Sequence, residues 1–312
     1  MNFVLQFSKL SRKDVSIAGG KGAQLGEMFN SKIPVPNGFV VLVDSFNLFL
    51  KENNLEKEIE SELKKVNPKK TDSVNSASEK IRKKISKGKI PKEIEESIWK
   101  EFSLLKANFV AVRSSATAED AKNASWAGEL ETFTHTQKKD LLNAVKKCWS
   151  SLFTPRAIFY RIEKKLSGKK VSVAVVVQKM IESETAGVAF TVNPITKNRD
   201  EIIIEAAYGL GESVVSGAVT PDKYIVNKKE MFIESIEVSK QEKMLALKNG
   251  RTQEIAVKNS MQENQKLSGK EIMELAELCR KIELHYAFPQ DIEFALEKQK
   301  LFILQTRPIT TL

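Results

Sequence analysis

The segment VSVAVVVQKM, residues 171–180, sets the strictest limit on the architecture of this chain. β-Branched residues run through it without the alternation of a strand that has one solvated face, so it predicts a strand buried on both sides. Such a strand needs a further layer against each face of its sheet. A chain of 312 residues can bury a core of that size, and its length is typical of two domains or of one domain with two lobes.

Helical spacing of apolar residues fills much of the remaining chain. It extends from residue 44 to about residue 105, with breaks near Asn67 and between Gly88 and Pro91, and it returns over residues 138–165 and 269–284. The predicted class is therefore α/β, in the sense of mixed α and β elements.

Short apolar runs bounded by Gly, Pro or Asn predict strands between these helices. Such runs occur on both sides of residues 182–186, where a lobe boundary is plausible. We therefore predict an N-terminal lobe over residues 1–185 and a C-terminal lobe over residues 186–312.

A formal net charge of +10 is compatible with a nucleic acid, an anionic ligand or an acidic partner. The basic runs are intermixed with glutamate and contain no interleaved aromatic residues. This pattern favours solvated helix faces, and we expect no nucleic-acid partner.

The two cysteines, Cys148 and Cys279, lie far apart within helical patterns, which argues against a disulfide framework or a zinc site. No long apolar leader segment opens the sequence, and no run of about 18 apolar residues occurs in it. We therefore expect a cytoplasmic protein without a membrane partner.

The segment DIEFALEKQKLFILQTRP, residues 291–308, alternates apolar and polar residues in both of its halves, which predicts a β-hairpin. With a turn at residues 298–300, the predicted cross-strand pairs are Phe294–Leu304, Leu296–Phe302, Glu293–Gln305 and Asp291–Arg307. A carboxylate beside an amide oxygen offers hard ligands to Mg²⁺, and Arg307 can hold a phosphate. An ordinary ladder of exposed polar residues is the alternative.

The segment GGKGAQLGEM, residues 19–28, combines a glycine-rich loop with Lys21 ahead of an apparent helix, where amide groups and the helix dipole favour an anion. It lacks the spacing of a Walker A loop. Phosphate binding and a purely structural turn both remain open for this segment.

Arg113 follows a predicted strand and opens a segment rich in small and hydroxyl residues. Ser114, Ser115, Thr117 and Thr132 could donate hydrogen bonds to phosphates, and Gly128 permits close approach of the backbone. The same residues are also typical of helix caps and turns. GLGES, residues 209–213, indicates a turn.

In this order, the segments resemble the N-terminal nucleotide-binding domain shared by phosphoenolpyruvate synthase, pyruvate phosphate dikinase, rifampin phosphotransferase and the glucan water dikinases. The resemblance covers nearly the whole chain. It depends on GGKGAQLGEM, IPVPNGFVV, VAVRSSATAEDAKNASWAGELETF, SLFTPRAIFYR, VVVQKMI, AGVAFTVNP, YGLGESVVSGAVTPDKY, FPQDIEFA and ILQTRP.

The resemblance implies an ATP-grasp-like fold of two lobes with ATP between them. Lys21 and Arg113 would hold phosphates, under a loop that contains Gly128 and Thr132, and the strand from Gln178 to Met180 would meet the adenine. Glu293 and Gln305 would ligate Mg²⁺. Lys21, Arg113 and Arg307 would be catalytic, with Arg307 stabilising charge on the transferred group. The implied ATP contacts are Lys21, Arg113, Ser114, Gly128, Thr132, Gln178, Met180, Glu293, Gln305 and Arg307.

Similar enzymes pass the phosphoryl group to a histidine on a swivelling domain, which carries it to a pyruvate-binding domain. Neither His135 nor His285 has the sequence context of that histidine, and we expect His135 to be exposed and non-catalytic. The chain ends five residues after Arg307, where the relatives continue. Both a natural stand-alone domain and an excised piece are consistent with this ending.

The resemblance leaves the final acceptor open among pyruvate, rifampin and a glucan, and it does not separate water from phosphate as second acceptor. Pyruvate is the default because phosphoenolpyruvate synthase is the commonest setting of the domain. A non-catalytic ATP-binding module that regulates a partner is the alternative function, since residues that bind phosphates need not transfer them.

Overall fold

The computed structural model of the chain describes residues 2–117, 120–121, 124–125, 131–164 and 172–310. Contacts divide the chain into two units, of which the first comprises Met1–Asn30 and Asn37–Met180 and the second comprises Ser31–Pro36 and Ile181–Leu312. This division falls slightly before the boundary predicted after residue 185, and it assigns residues 31–36 to the second unit, which the sequence did not indicate. Both units mix helices and strands, so the predicted class is confirmed.

The first unit contains a five-stranded antiparallel sheet and a separate pair of two-residue strands. Its strands are β1 (Val4–Gln6), β2 (Gly38–Val41), β3 (Val110–Ala116), β4 (Asp120–Ala121), β5 (Ala124–Ser125), β6 (Thr132–Thr136) and β7 (Val173–Lys179). The order in the sheet is β1-β2-β7-β3-β6, and β4 pairs with β5.

The helices in the described part of the first unit follow the predicted spacing. They are α1 (Val15–Asn30), α2 (Val43–Glu52), α3 (Leu55–Lys64), α4 (Thr71–Lys87), α5 (Lys92–Leu105), α6 (Leu141–Ser151) and α7 (Pro155–Glu163). Short 3₁₀ turns occupy Phe7–Lys9, Arg12–Asp14 and Lys138–Asp140.

Strand β7 is the central strand of the first sheet, as its β-branched sequence predicts. Its residues Val173 to Val177 have no exposed surface. Helix α1 contacts β7 and β3, and helix α6 contacts the same two strands. Ser115 bonds to α1 and its neighbour Ser114 bonds to α6, so the two helices cover opposite faces. The double burial predicted from the sequence is therefore confirmed.

The second unit contains a six-stranded antiparallel sheet of order β11-β10-β9-β8-β14-β15 and a separate hairpin formed by β12 and β13. Its strands are β8 (Thr185–Phe190), β9 (Glu201–Tyr208), β10 (Asp222–Asn227), β11 (Phe232–Glu237), β12 (Lys243–Lys248), β13 (Arg251–Ala256), β14 (Gln290–Glu297) and β15 (Lys300–Pro308).

One face of this sheet packs on α9 (Gly269–Tyr286), and the short helix α8 (Glu212–Val215) contacts strands β8 and β9. Helix α9 begins at a capping box between Ser268 and Glu271. Its buried residues have the three- and four-residue spacing of an amphipathic helix and are Ile272, Leu275, Ala276, Cys279 and Ile282. Among the residues described, every helix is too short or too polar to cross a bilayer.

A buried ion pair ties the segment after β11 to the sheet. Asp222 and Lys266 have no exposed side-chain surface, and their charged atoms lie 2.9 Å apart. The Asp222 carboxylate also accepts hydrogen bonds from the Tyr224 hydroxyl at 2.8 Å and from the backbone N–H groups of Ser239 and Lys266 at 2.9 Å each. This network gives the TPDKY motif a structural role.

Candidate functional site

Helix α1 carries the glycine segment to the first sheet. Two helical segments meet at Gly19, so the glycine loop that the sequence predicted is reduced to a kink at this one residue. Only Gly19 departs from helical geometry, with φ 69° and ψ 172°, a combination that is essentially restricted to glycine. The helix continues from this kink to Asn30. The first amide groups of the segment after the kink lie beside Lys21, where these groups and the helix dipole favour an anion.

Ser115 on β3 packs directly against the kink. Its hydroxyl donates to the carbonyl of Ala18 at 2.9 Å and accepts the N–H of Gly22 at 3.1 Å. A Cβ atom on Gly19 would lie 2.2 Å from the carbonyl oxygen of Ser115. The glycine is therefore required by both its backbone conformation and the close approach of β3.

We expect Gly19→Ala to lower the free energy of unfolding by about 1–3 kcal/mol, since alanine is strained at this φ and ψ and would displace β3 or α1. Chemical denaturation measures the change. Gly217→Ala is the matched control, because Gly217 has the same φ of 69° with no atom within 4 Å of the added Cβ. An equal loss in both variants would show that packing against Ser115 does not require the glycine.

Four of the relevant side chains share the α1 face of the first sheet. Arg113 pairs directly with Thr132 on β6, so these two residues lie on one face. Ser115 follows two positions later and reaches α1. Gln178 on β7 pairs with Ala111, two positions before Arg113, and therefore points to the same face. Arg113 and Gln178 are buried and Thr132 is exposed.

Ser114 points to the opposite face and is 1% exposed. Its hydroxyl contacts the Ser151 hydroxyl at 2.9 Å and donates to the carbonyls of Glu131 and Cys148 at 3.0 and 3.3 Å. The structure thus does not bring Ser114 together with Arg113 and Thr132. Period-two alternation along β3 is the signal that separates them.

Met180 and Gly128 are the two remaining predicted ATP contacts of the first unit. Met180 directly follows β7 and donates its N–H to the carbonyl of Phe109 at 3.1 Å. Gly128 lies outside the described residues.

In the second unit, β14 and β15 form the predicted hairpin. Glu293 pairs with Gln305 and Asp291 pairs with Arg307, so this half of the predicted register is confirmed. Residues 291 and 293 lie two apart, and both pairs therefore occupy one face of the sheet. The side-chain oxygens of Glu293 and Gln305 therefore lie next to the guanidinium of Arg307.

The apolar half of the predicted register is wrong. Phe294 pairs with Ile303 and Leu296 with Leu301, because the register shifts by one residue after Glu293. The turn contains only Lys298 and Gln299, both with positive φ, and a tight turn of this kind matches the twist of the two strands. A bulge at Leu304 absorbs the extra residue on β15.

Asp291 is a residue whose role the sequence did not predict. Its carboxylate accepts a hydrogen bond from Nε of Arg307 at 2.7 Å, and its side chain is 13% exposed while that of Arg307 is 40% exposed. Burial raises the pKa of Asp291, an effect that the neighbouring Arg307 opposes. This bond to Nε fixes the direction of the guanidinium group, so Asp291 can orient Arg307 towards a ligand.

His135 differs from its prediction, because it is 4% exposed. The ladder between β3 and β6 is irregular beside it, its own φ is 48°, and its ring packs edge-on against Phe109 with centroids 5.7 Å apart. This irregularity turns the side chain inward, which alternation along the strand could not predict. His285 is exposed near the end of α9.

The cysteines are buried and unpaired with each other, Cys148 in α6 and Cys279 in α9. Burial raises the pKa of the Cys148 thiol to about 12 and also raises the pKa of Cys279. Buried thiols with raised pKa values are poor nucleophiles, so the candidate chemistry does not involve them.

A family profile described as "Pyruvate phosphate dikinase, AMP/ATP-binding domain" matches residues 15–312. The chain belongs to this family. Membership confirms the predicted ATP-grasp-like fold class and the predicted ATP-binding class. The match begins at α1 and includes every candidate residue of both units.

Curated relatives agree with this assignment. The chain is 47% identical to a probable phosphoenolpyruvate synthase of Methanocaldococcus jannaschii over 100% of its length, which is 27% of that protein. It is 41% identical to phosphoenolpyruvate synthase of Pyrococcus furiosus, with 99% of the chain and 44% of that protein covered. Rifampicin phosphotransferase of Bacillus cereus is 37% identical, with 100% and 36% covered. The chain therefore spans less than half the length of these relatives.

Proposed function

We propose that this chain binds Mg-ATP and donates a phosphoryl group from it to a histidine on a separate swivelling domain. The hairpin of β14 and β15 carries the proposal, because it sets Glu293 opposite Gln305 next to the Asp291–Arg307 pair. Phosphoryl transfer needs positioning and charge stabilisation more than covalent chemistry. The oxygen ligands of Glu293 and Gln305 can position the nucleotide through a metal ion, and the oriented guanidinium of Arg307 can stabilise charge.

Glu293 and Gln305 would hold Mg²⁺. A carboxylate and an amide oxygen on facing strands are hard donors, and their number suits an ion that usually keeps waters and nucleotide phosphates as its other ligands. The ion would supply charge neutralisation for the phosphates. Arg307 would then stabilise the charge that develops on the transferred group.

In the first unit, Lys21, Arg113 and Thr132 would hold phosphates, together with Gly128. The end of β7, from Gln178 to Met180, would meet the adenine. These roles are supported by the shared face of Arg113, Thr132 and Gln178 and by the helix terminus beside Lys21. For Ser114 we propose an indirect role, in which its bonds to α6 hold the strand that carries Arg113.

The names of the longer relatives support the choice of final acceptor. Several relatives are named phosphoenolpyruvate synthase, and we propose pyruvate as the final acceptor, reached through a phosphohistidine domain and a pyruvate-binding domain. The rifampicin phosphotransferase relative makes rifampicin the competing acceptor. A cytoplasmic location is part of the proposal, because ATP and pyruvate are available there.

Calorimetric titration of Mg-ATP into the chain tests the proposal. Wild-type chain should bind, and Arg113→Ala should weaken binding roughly tenfold or more through loss of a charge-assisted contact. Arg12→Ala, an exposed arginine of the same unit, is the control and should bind normally. Addition of a histidine domain from a relative should then produce AMP, detected by ³¹P NMR, because attack of the histidine on the β-phosphorus removes the β and γ phosphates from the nucleotide together. Binding without AMP would favour a regulatory module, and absence of binding would contradict the proposal.

A further inference from the structure

Glu131 is the residue directly before Thr132, and its backbone is fixed to β3. Its carbonyl accepts the N–H of Ser114 at 3.2 Å and the Ser114 hydroxyl at 3.0 Å. The next residue, Thr132, pairs with Arg113. The position of the Glu131 backbone therefore sets the positions of the Cα atoms from which the Thr132 and Arg113 side chains project.

The Glu131 side chain is held separately by α4. Nη2 of Arg82 donates to the two carboxylate oxygens of Glu131 at 2.9 and 3.2 Å, across 49 residues of sequence. Each side chain is 33% exposed, so solvent screens this pair less than it screens a fully exposed pair. Helix α4 also packs against α6, the helix to which Ser114 is bonded.

Two independent contacts thus converge on Glu131, one through its backbone and one through its carboxylate. We infer that Arg82 is a positioning residue for nucleotide phosphates: its ion pair with Glu131 holds Thr132, and the strand pair that includes Arg113, in the geometry that binds them. The inference rests on the proposed function. It adds a residue on a scaffold helix, outside every motif by which the family was recognised.

The alternative physical reading is that Arg82 merely neutralises Glu131, whose negative charge would otherwise repel phosphates. The two readings differ in sign for Glu131→Gln. Positioning predicts that this variant weakens ATP binding, because the ion pair is lost. Neutralisation predicts that it strengthens ATP binding, because a negative charge is removed.

The test measures affinities of Mg-ATP and AMP for the full chain by calorimetry. Arg82→Met and Glu131→Gln should each weaken Mg-ATP binding on the order of fivefold, and the double variant should lose little more than either single one. AMP, which lacks the β and γ phosphates, should bind within twofold of wild type. Stronger ATP binding by Glu131→Gln, or equal losses for ATP and AMP, would overturn the inference.

Lys84→Met is the matched control. Lys84 lies on the same helix, pairs with Glu58 on α3, and carries the same charge, so its replacement repeats the change in net charge and in helix propensity. It should leave Mg-ATP affinity unchanged, and an effect equal to that of Arg82→Met would contradict the inference.

If wild type binds no Mg-ATP, the proposed function itself fails. If Arg113→Ala loses binding while Arg82→Met does not, only the positioning role fails.

Discussion

Alanine at position 307 is expected to slow phosphoryl transfer to a supplied histidine domain by roughly 10²-fold or more, on the order of 3 kcal/mol in activation free energy. Arg307 projects from the same face as the Glu293–Gln305 pair, and Asp291 holds its Nε at 2.7 Å. A guanidinium fixed before the reaction stabilises developing charge without reorganising. The rate of AMP formation, followed by ³¹P NMR at saturating Mg-ATP, gives the measurement.

Two further variants define what Arg307 contributes. Arg307→Lys retains the charge but loses the planar fork and the Nε contact with Asp291, so its rate should fall between those of wild type and the alanine variant. Arg251→Ala removes an exposed arginine from β13 of the same unit and should leave the rate unchanged. Undiminished turnover by Arg307→Ala would exclude the proposed catalytic role.

The polar half of the closing hairpin could be predicted because strand alternation and pairing depend on local sequence. Period two placed Asp291 and Glu293 on one face of β14, and Gln305 and Arg307 on one face of β15. The predicted turn was one residue too long, and the bulge at Leu304 compensates for this difference, so the polar pairs are as predicted. The apolar half could not, because Phe302 to Leu304 contains three consecutive apolar residues and any of them could face the core. The two-residue turn decided the register, and the bulge at Leu304 was its consequence.

The hairpin of β12 and β13 can be predicted from its sequence, but its contact with the rest of the unit cannot. Its turn, Asn249–Gly250, has positive φ at both residues, and this dipeptide between two strand-like runs is a strong signal for a hairpin. A Cβ on Gly209 would lie 2.4 Å from the carbonyl oxygen of Leu245 on β12. Gly209 of the GLGES turn therefore allows close contact with a hairpin that is distant in sequence, which no local pattern could reveal.

Contacts between distant segments also explain the corrections in the first unit. The glycine segment reads as a loop because glycine disfavours helix, yet the approach of Ser115 lets α1 continue past Gly19 with a single kink. The pairing of Arg82 with Glu131 joins a lysine-rich scaffold helix to the strand that carries Thr132. Sequence spacing gives no indication of either contact, since each depends on how the helices pack on the sheet.

The Asp222–Lys266 pair should show the largest stability effect in the second unit. Asp222→Ala would leave a buried ammonium, the Tyr224 hydroxyl and two backbone N–H groups without their acceptor. The lysine ammonium would keep its contacts with the carbonyl of Ser239 and the ring of Tyr208, neither of which carries a negative charge. Breaking a buried pair from one side typically costs about 3–5 kcal/mol, and we expect a loss of that size in the free energy of unfolding.

Denaturant unfolding followed by far-UV circular dichroism measures this loss. The three tryptophans, Trp99, Trp126 and Trp149, belong to the first unit, so their fluorescence reports separately on that unit and shows whether the damage stays in the second. Asp222→Asn with Lys266→Met removes both charges and should cost less than Asp222→Ala alone, because no unpaired charge remains buried. Asp200→Ala, which breaks an exposed pair with Lys229, should cost less than about 1 kcal/mol. If Asp222→Ala were no more harmful than this control, the pair would not be what ties residues 238–266 to the sheet, and the TPDKY motif would need another explanation.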